Sequence, residues 1–194
     1  MATRKPKSVP FRRKKEGKTN YHRRLKILLS QKSRLVVRLT NQKVIVQIIQ
    51  FFPEGDRVAI GMDSSALREL GWKYSLKNIS AAYLTGLLIG KKAVDAKQEE
   101  VVFDSGNQSI LHGGKHFAFL KGIVDSGLQI KHGDEKIFPS KERLTGAHVA
   151  SYAKKLKSEN QEKYNHVFGQ YLKANAHPED ITKNFEEVKK KILG

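Results

Sequence analysis

Cysteine is absent from the 194 residues, so the chain has no disulfides, no thiolate nucleophile and no cysteine-containing zinc or iron–sulfur site. Long apolar runs are also missing. The longest, residues 79–90, spans 12 residues, far short of the roughly 20 that cross a bilayer. No apolar stretch follows the N-terminal charges, so no secretory signal is predicted. These absences fit a protein of the reducing cytoplasm that has no membrane partner.

Acidic residues are scarce at the N-terminus. Residues 1–34 hold 13 of the 37 Lys and Arg residues but only Glu16 of the 19 acidic ones, a net charge of +12 out of +18. Such a segment repels itself unless a polyanion neutralises it. With two prolines and a glycine in its first 20 residues, it cannot bury enough surface to fold alone. We therefore interpret it as an RNA-binding arm that becomes ordered on a partner.

Beyond the arm, the pattern predicts an α/β fold with a mixed β-sheet in β-β-β-α-β-α order and helices packed on it. The predicted parts are a basic arm with a short helix capped by Asn20 (1–33), an α/β RNA-binding domain (34–139) and an α-helical C-terminal extension (140–194). After the three strands, the helices are expected at 78–97, 112–125, 142–157, 161–175 and 179–193, with strands at 100–104 and 128–131.

The first two strands form a predicted hairpin. A two-residue loop at Asn41 and Gln42 would pair Leu39 with Val44, Val37 with Val46 and Leu35 with Ile48 on the core face. The opposite face then carries polar side chains and can meet a polar partner. That face is predicted to hold Val36, Arg38, Thr40, Lys43, Ile45 and Gln47.

Small residues and one tryptophan indicate packing. Gly86 and Gly90 lie on one stripe of the long helix and are expected to let its backbone lie close to the sheet. Trp72, after Gly71, is more often an anchor at the edge of a core than a base-stacking platform.

Two motifs that could indicate chemistry are incomplete. Gly17-Lys18-Thr19 resembles the end of a phosphate loop, but Arg12 occupies the position of the first glycine. His112 and His116 have the spacing of a metal-binding helix without the accompanying glutamate, so an RNA-facing or packing role is favoured. No catalytic residue, metal or cofactor is expected.

Several segments in this order resemble the archaeal form of the L-eighteen family of large-subunit ribosomal proteins, which is related to eukaryotic ribosomal protein L-five. The resemblance extends over about residues 10–193. It rests on RRKKEGKTNYHRRLKILLSQKSRLVVR, TNQKVIVQII, GWK at 71–73, SAAYLTGLLIGKKA at 80–93, FLKGIVDSGL at 119–128, residues 143–150, HPEDI and FEEVKKKI.

The resemblance implies a structural protein that binds 5S rRNA and helps attach it to large-subunit rRNA in the central protuberance, beside neighbouring ribosomal proteins. It also implies that residues 4–24 and the hairpin around Asn41 face RNA. Two alternatives remain: a nuclease with a basic delivery arm, and a basic protein-interaction adaptor or chaperone. The predicted RNA-binding residues are Arg4, Lys5, Lys7, Arg12, Arg13, Lys14, Lys15, Lys18, Tyr21, His22, Arg23, Arg24, Arg38, Asn41, Lys43, Gln47, His112 and Lys115.

Overall fold

The computed structural model describes residues 9–98 and 100–194. Its centre is a five-stranded mixed sheet in the order β3-β2-β1-β4-β5. The first three strands are antiparallel neighbours, whereas β4 runs parallel to both β1 and β5. This arrangement confirms the predicted α/β class with a mixed sheet, and the strands and helices follow one another along the chain in the predicted β-β-β-α-β-α order. The strands are β1 (Ser33–Leu39), β2 (Val44–Gln50), β3 (Arg57–Asp63), β4 (Glu100–Asp104) and β5 (Gln129–Ile130).

The helices precede, connect and follow these strands. Helices α4 and α5 lead from β3 to β4 and from β4 to β5, as parallel strands require a crossover. Single 3₁₀ turns occur at Glu135–Ile137 and Pro178–Asp180. The helices are α1 (Arg12–Lys15), α2 (Tyr21–Leu28), α3 (Ala66–Glu69), α4 (Ile79–Asp95), α5 (Lys115–Asp125), α6 (Lys141–Thr145), α7 (Ala147–Glu159), α8 (Gln161–Lys173) and α9 (Ile181–Leu193).

The hairpin register is the predicted one. Leu39 pairs with Val44, and the next two core-facing pairs follow in step. The turn uses no left-handed residue, because the Thr40 hydroxyl accepts the Lys43 N–H (3.0 Å) while the Thr40 N–H donates to the Lys43 carbonyl (2.9 Å). The threonine side chain thus replaces the glycine that a tight hairpin usually prefers. Register fixes which residues face the core and which face the arm.

The core lies on the helix side of the sheet. Leu35, Val37, Val46 and Ile48 are fully buried there, and the hydrophobic cluster that contains them also includes α4, most of whose residues are buried. Trp72, 1% exposed, belongs to the same cluster and donates its indole N–H to the Ser75 carbonyl, which confirms the packing role.

The glycines of α4 serve a different contact from the predicted one. A Cβ on Gly86 would lie 2.2 Å from the carbonyl oxygen of Phe119, and a Cβ on Gly122 would lie 2.2 Å from that of Tyr83. Both short distances join α4 to α5, so the close backbone approach is between these two helices and not between α4 and the sheet. The prediction of close helix-on-sheet packing was wrong, because periodicity alone cannot tell which neighbour a small-residue stripe faces.

The C-terminal helices complete the core. Ile181, Phe185, Val188 and Ile192 of α9 are buried in the same cluster as the sheet and α4. The single helix predicted at 142–157 is two helices, because Gly146 has φ +81° and ends α6 before α7 begins. A smaller cluster joins α7 to α8.

Candidate nucleic-acid interface

The basic arm of residues 1–33, which the structure describes from residue 9 onward, folds across the outward face of the sheet. The predicted cap is present, since the Asn20 side chain accepts the N–H of Arg23. Two contacts tie the arm to the loop after β4: Arg23 Nη1 donates to the Gly106 carbonyl (3.1 Å), and Asn107 Nδ2 donates to the Gly17 carbonyl. Neither α1 nor α2 contains a buried residue. The arm therefore lies on the surface of the sheet and adds little to the hydrophobic core.

Between the arm and the sheet lies a cleft of about 540 Å³, which we call the arm cleft. Its lining carries six cations and two carboxylates, a formal excess of four positive charges. Strand alternation explains the contribution of the sheet, because the residues between the core-facing positions point into this cleft. The charged lining residues are Arg13, Lys18, Arg23, Arg24, Arg34, Arg38, Asp56 and Asp104.

One part of the arm cleft is internally neutralised. Arg34, whose side chain is 4% exposed, contacts Asp56 at 2.5 Å and Asp104 at 3.2 Å. Asp56 also accepts from Arg24 of the arm at 2.9 Å. Asp56 is therefore shared between the arm and the sheet, and it fixes where the arm lies. Arg34 was not among the predicted site residues, although its alternation with Val36 on β1 places it on the outward face.

The other part of the cleft has three guanidinium groups without acidic partners. Among the described residues, no carboxylate oxygen lies within 4.0 Å of Arg13, Arg23 or Arg38. Arg23 donates to the carbonyl of Gly106, and a Cβ on that glycine would meet Arg38 Nη1 at 2.9 Å, so both guanidinium groups converge there.

The pKa of Arg38 reflects this crowding. Burial lowers it from its ordinary value, the charges of Arg34 and Arg13 lower it further, and Asp104 partly opposes them. A cluster of this kind favours an anionic ligand, because an anion relieves the repulsion between the cations.

Other predicted residues of the arm lie on its surface. The side chain of Tyr21 is half-buried against Phe11, with 4.9 Å between ring centroids. Arg4, Lys5 and Lys7 fall outside the described residues. The exposed predicted residues are Arg12, Arg13, Lys14, Lys15, Lys18 and His22.

The hairpin residues divide between two surfaces. Gln47 is in the arm cleft beside Arg38. Lys43 pairs with Asp63, and its hydrogen bond is the main cause of a lowered Asp63 pKa. Asn41 is at the exposed hairpin turn and lines a separate groove. The hairpin residues predicted to bind RNA therefore lie on more than one surface of the domain.

His112 and Lys115 also lie apart from the arm cleft. Helix α5 begins at Lys115, not at His112 as predicted, because Gly113 adopts φ +63° and Gly114 is the extended N-cap. His112 is exposed and contacts Phe117 edge to face. His116 is buried, which lowers its pKa, and its Nε2 lies 3.3 Å from Gln108 Oε1. His116 therefore packs inside the domain, whereas His112 stays at the surface.

The described residues contain neither a cluster of metal-ligating side chains nor a membrane-spanning helix. Over 9–98 and 100–194, no three His, Asp or Glu side chains gather as metal ligands do. In the same part of the chain, no helix has the length and apolarity needed to traverse a bilayer.

Comparison with known protein families identifies the chain. Residues 5–103, about half of the sequence, match the family described as ribosomal large subunit proteins 60S L5, and 50S L18. The matched region includes the arm, the hairpin, the long helix and nearly all of β4. It is a family of structural ribosomal proteins and not of enzymes, with its place in the cytoplasmic ribosome and its role in translation. The chain therefore belongs to the ribosomal large-subunit protein family that comprises 60S L5 and 50S L18.

Proposed function

We propose that this protein binds 5S rRNA through the arm and the arm cleft, and that it helps attach 5S rRNA to large-subunit rRNA in the central protuberance. This proposal rests on the position of Arg13, Arg23 and Arg38, which line one cleft and have no carboxylate partner among the described residues. Guanidinium groups bind phosphate oxygens through planar pairs of donors, which suits them to an RNA backbone.

The exposed cations of the arm add a second layer to this contact. The Arg12 side chain is 83% exposed, and Lys14 and Lys15 beside it are also exposed and do not line the cleft, so these cations can reach phosphates outside it. Tyr21 and His22 offer rings beside these charges, and such rings stack on unpaired RNA bases. In this proposal the outer cations attract the RNA, and the cleft arginines fix its position on the sheet.

Salt dependence tests the phosphate contact directly. If about six to ten phosphates are bound, affinity for 5S rRNA falls roughly 10³- to 10⁵-fold between about 50 and 200 mM salt. Fluorescence anisotropy with labelled 5S rRNA measures this slope. A nearly flat response would rule out phosphate neutralisation as the basis of binding.

A matched pair of variants tests the cleft itself. Arg23→Gln with Arg38→Gln removes two unpaired guanidinium groups, and we expect the salt slope to lose about two phosphate contacts. Lys154→Gln with Lys190→Gln removes the same charge from exposed positions on α7 and α9. If the two pairs weaken 5S rRNA binding equally, net charge governs the affinity and the cleft has no special role.

A further inference from the structure

A second basic groove lies at the hairpin end of the sheet, between the loop that precedes α4 and helix α8. Its volume is about 740 Å³, and it shares no lining residue with the arm cleft. Arg68, Lys73 and Lys77 line it with exposed side chains, and Asn41 and Gln170 add exposed amides. We call it the α8 groove.

The lining of the α8 groove contains no Asp or Glu among the described residues. Within that part of the chain, no carboxylate oxygen lies within 4.0 Å of Arg68, Lys73 or Lys77. The arm cleft, by comparison, contains two carboxylates that neutralise part of its charge. Within the described residues, the lining of the α8 groove is therefore entirely basic or uncharged.

Positive charge continues from this groove along the surface. An adjoining depression of about 340 Å³ shares Lys77 and Tyr171 with the α8 groove and adds Lys115, Arg143 and His148. In the other direction the excess of positive charge stops at Lys73, because Asp180 and Glu187 line the next depression and balance Lys73 and Lys183 there. The basic surface therefore ends at Lys73 on one side, and its side chains come from several separate segments of the chain.

We propose that the α8 groove is a second RNA-binding surface, which takes a segment of single-stranded RNA while the arm holds 5S rRNA. Lysine and arginine side chains in a groove neutralise the backbone of a single strand, and neighbouring amides can hydrogen-bond base edges and 2′-hydroxyl groups. Membership in a large-subunit ribosomal family makes rRNA the polyanion that surrounds the protein. The proposal goes beyond the 5S rRNA contact and stands on residues that the arm cleft does not use.

Sequence analysis had assigned Asn41 and Lys115 to RNA, and neither lines the arm cleft. Asn41 lines the α8 groove, and Lys115 lines the depression that adjoins it. Both residues are accounted for by a second RNA surface.

The experiment uses the full-length protein and a fluorescein-labelled oligouridylate of about 20 nucleotides, which exceeds the site size of many single-strand-binding domains. Anisotropy is measured with free protein and with protein saturated by unlabelled 5S rRNA. The groove variant is Arg68→Glu with Lys73→Glu and Lys77→Glu. Its control carries the same charge change at three exposed lysines outside both grooves, as Lys92→Glu with Lys154→Glu and Lys190→Glu.

We expect the saturated wild-type complex to bind the oligonucleotide. The groove variant should weaken that binding by about 10-fold or more and flatten the salt slope by about two units, because three phosphate contacts are lost. The control should keep most of the affinity, and 5S rRNA binding should be the same in both variants. Circular dichroism melting checks that each variant is folded, and Lys73→Arg with Lys77→Arg, which retains the charge, should bind like wild type.

Several results would overturn the proposal. These are a saturated complex that does not bind the oligonucleotide, equal losses in the groove variant and its control, or an equal loss of 5S rRNA affinity in the groove variant. Retained oligonucleotide binding in the groove variant would also overturn the proposal, because the RNA would then bind outside the α8 groove. If 5S rRNA fails to bind at all while the free protein still binds the oligonucleotide through the groove, the 5S proposal fails and the second surface stands.

Discussion

Gly86 of α4 and Phe119 of α5 are in backbone contact: a Cβ on the glycine would lie 2.2 Å from the phenylalanine carbonyl oxygen. The carbonyl belongs to a buried helix and cannot move independently of it. In most helices, replacing glycine by alanine is favourable because alanine has less conformational freedom to lose. At Gly86 the steric overlap between an added Cβ and the Phe119 carbonyl oxygen outweighs this gain in conformational entropy.

Gly86→Ala is therefore expected to destabilise the protein by about 2 kcal/mol or more, as overpacking of a tight core does. The control is Gly169→Ala in α8, where a Cβ meets nothing within 4 Å, and it should stabilise by about 0.5–1 kcal/mol. Urea unfolding of both variants measures the two free energies. The two substitutions should change the free energy of unfolding in opposite directions. If Gly86→Ala stabilised the protein, the helix–helix contact would be contradicted.

Asp56→Asn should release the arm from the sheet. This carboxylate is 24% exposed and pairs with Arg24 of the arm and with the nearly buried Arg34, which would lose one of its two acidic partners. Removing one partner of a buried ion pair costs about 3 kcal/mol or more, and partial exposure reduces this to roughly 1–2 kcal/mol. Limited trypsin digestion at residues 12–24 should accelerate, whereas exposed Asp134→Asn should leave the rate unchanged.

The His116 ring gives stability a pH dependence. Burial lowers its pKa below the ordinary value of 6.5, so the unfolded state binds its proton more readily. The neutral His116 ring makes its full contribution to the free energy of unfolding above pH 6.5. This contribution is lost as the pH falls toward the pKa of the ring in the folded state. His116→Gln keeps a hydrogen-bonding group near Gln108 and should flatten the decline of unfolding free energy below about pH 6.5, measured with urea. An unchanged decline in the variant would exclude His116 as its source.

Deleting residues 1–24 should leave a folded domain with severely weakened 5S rRNA binding. The described arm has no buried residue, so its loss exposes the outward face of β1 without opening the core on the helix side. Circular dichroism melting and a 5S rRNA titration measure the two effects. Loss of a cooperative melting transition would place the arm in the core and contradict the predicted boundary after residue 33.

The sequence alone was sufficient to predict those features of the fold that depend on neighbouring residues. Strand alternation predicted the hairpin register, and the long helix expected from residue 78 does begin there, where Asn78 caps α4. Tertiary contacts could not be predicted this way. Arg23 and Gly106 are 83 residues apart, so no local pattern indicates that the arm folds over the sheet. The α8 groove likewise brings together Asn41, Arg68 and Gln170, which are distant in sequence.

The position of α9 has a consequence for how the molecule is made. Phe185, Val188 and Ile192 fill a core whose other walls, β1, β2 and α4, are synthesised much earlier. The arm is made before any of these elements. A nascent chain therefore exposes the cations of its arm while its apolar core is still open, so the most basic segment is synthesised before the chain can bury its apolar residues completely.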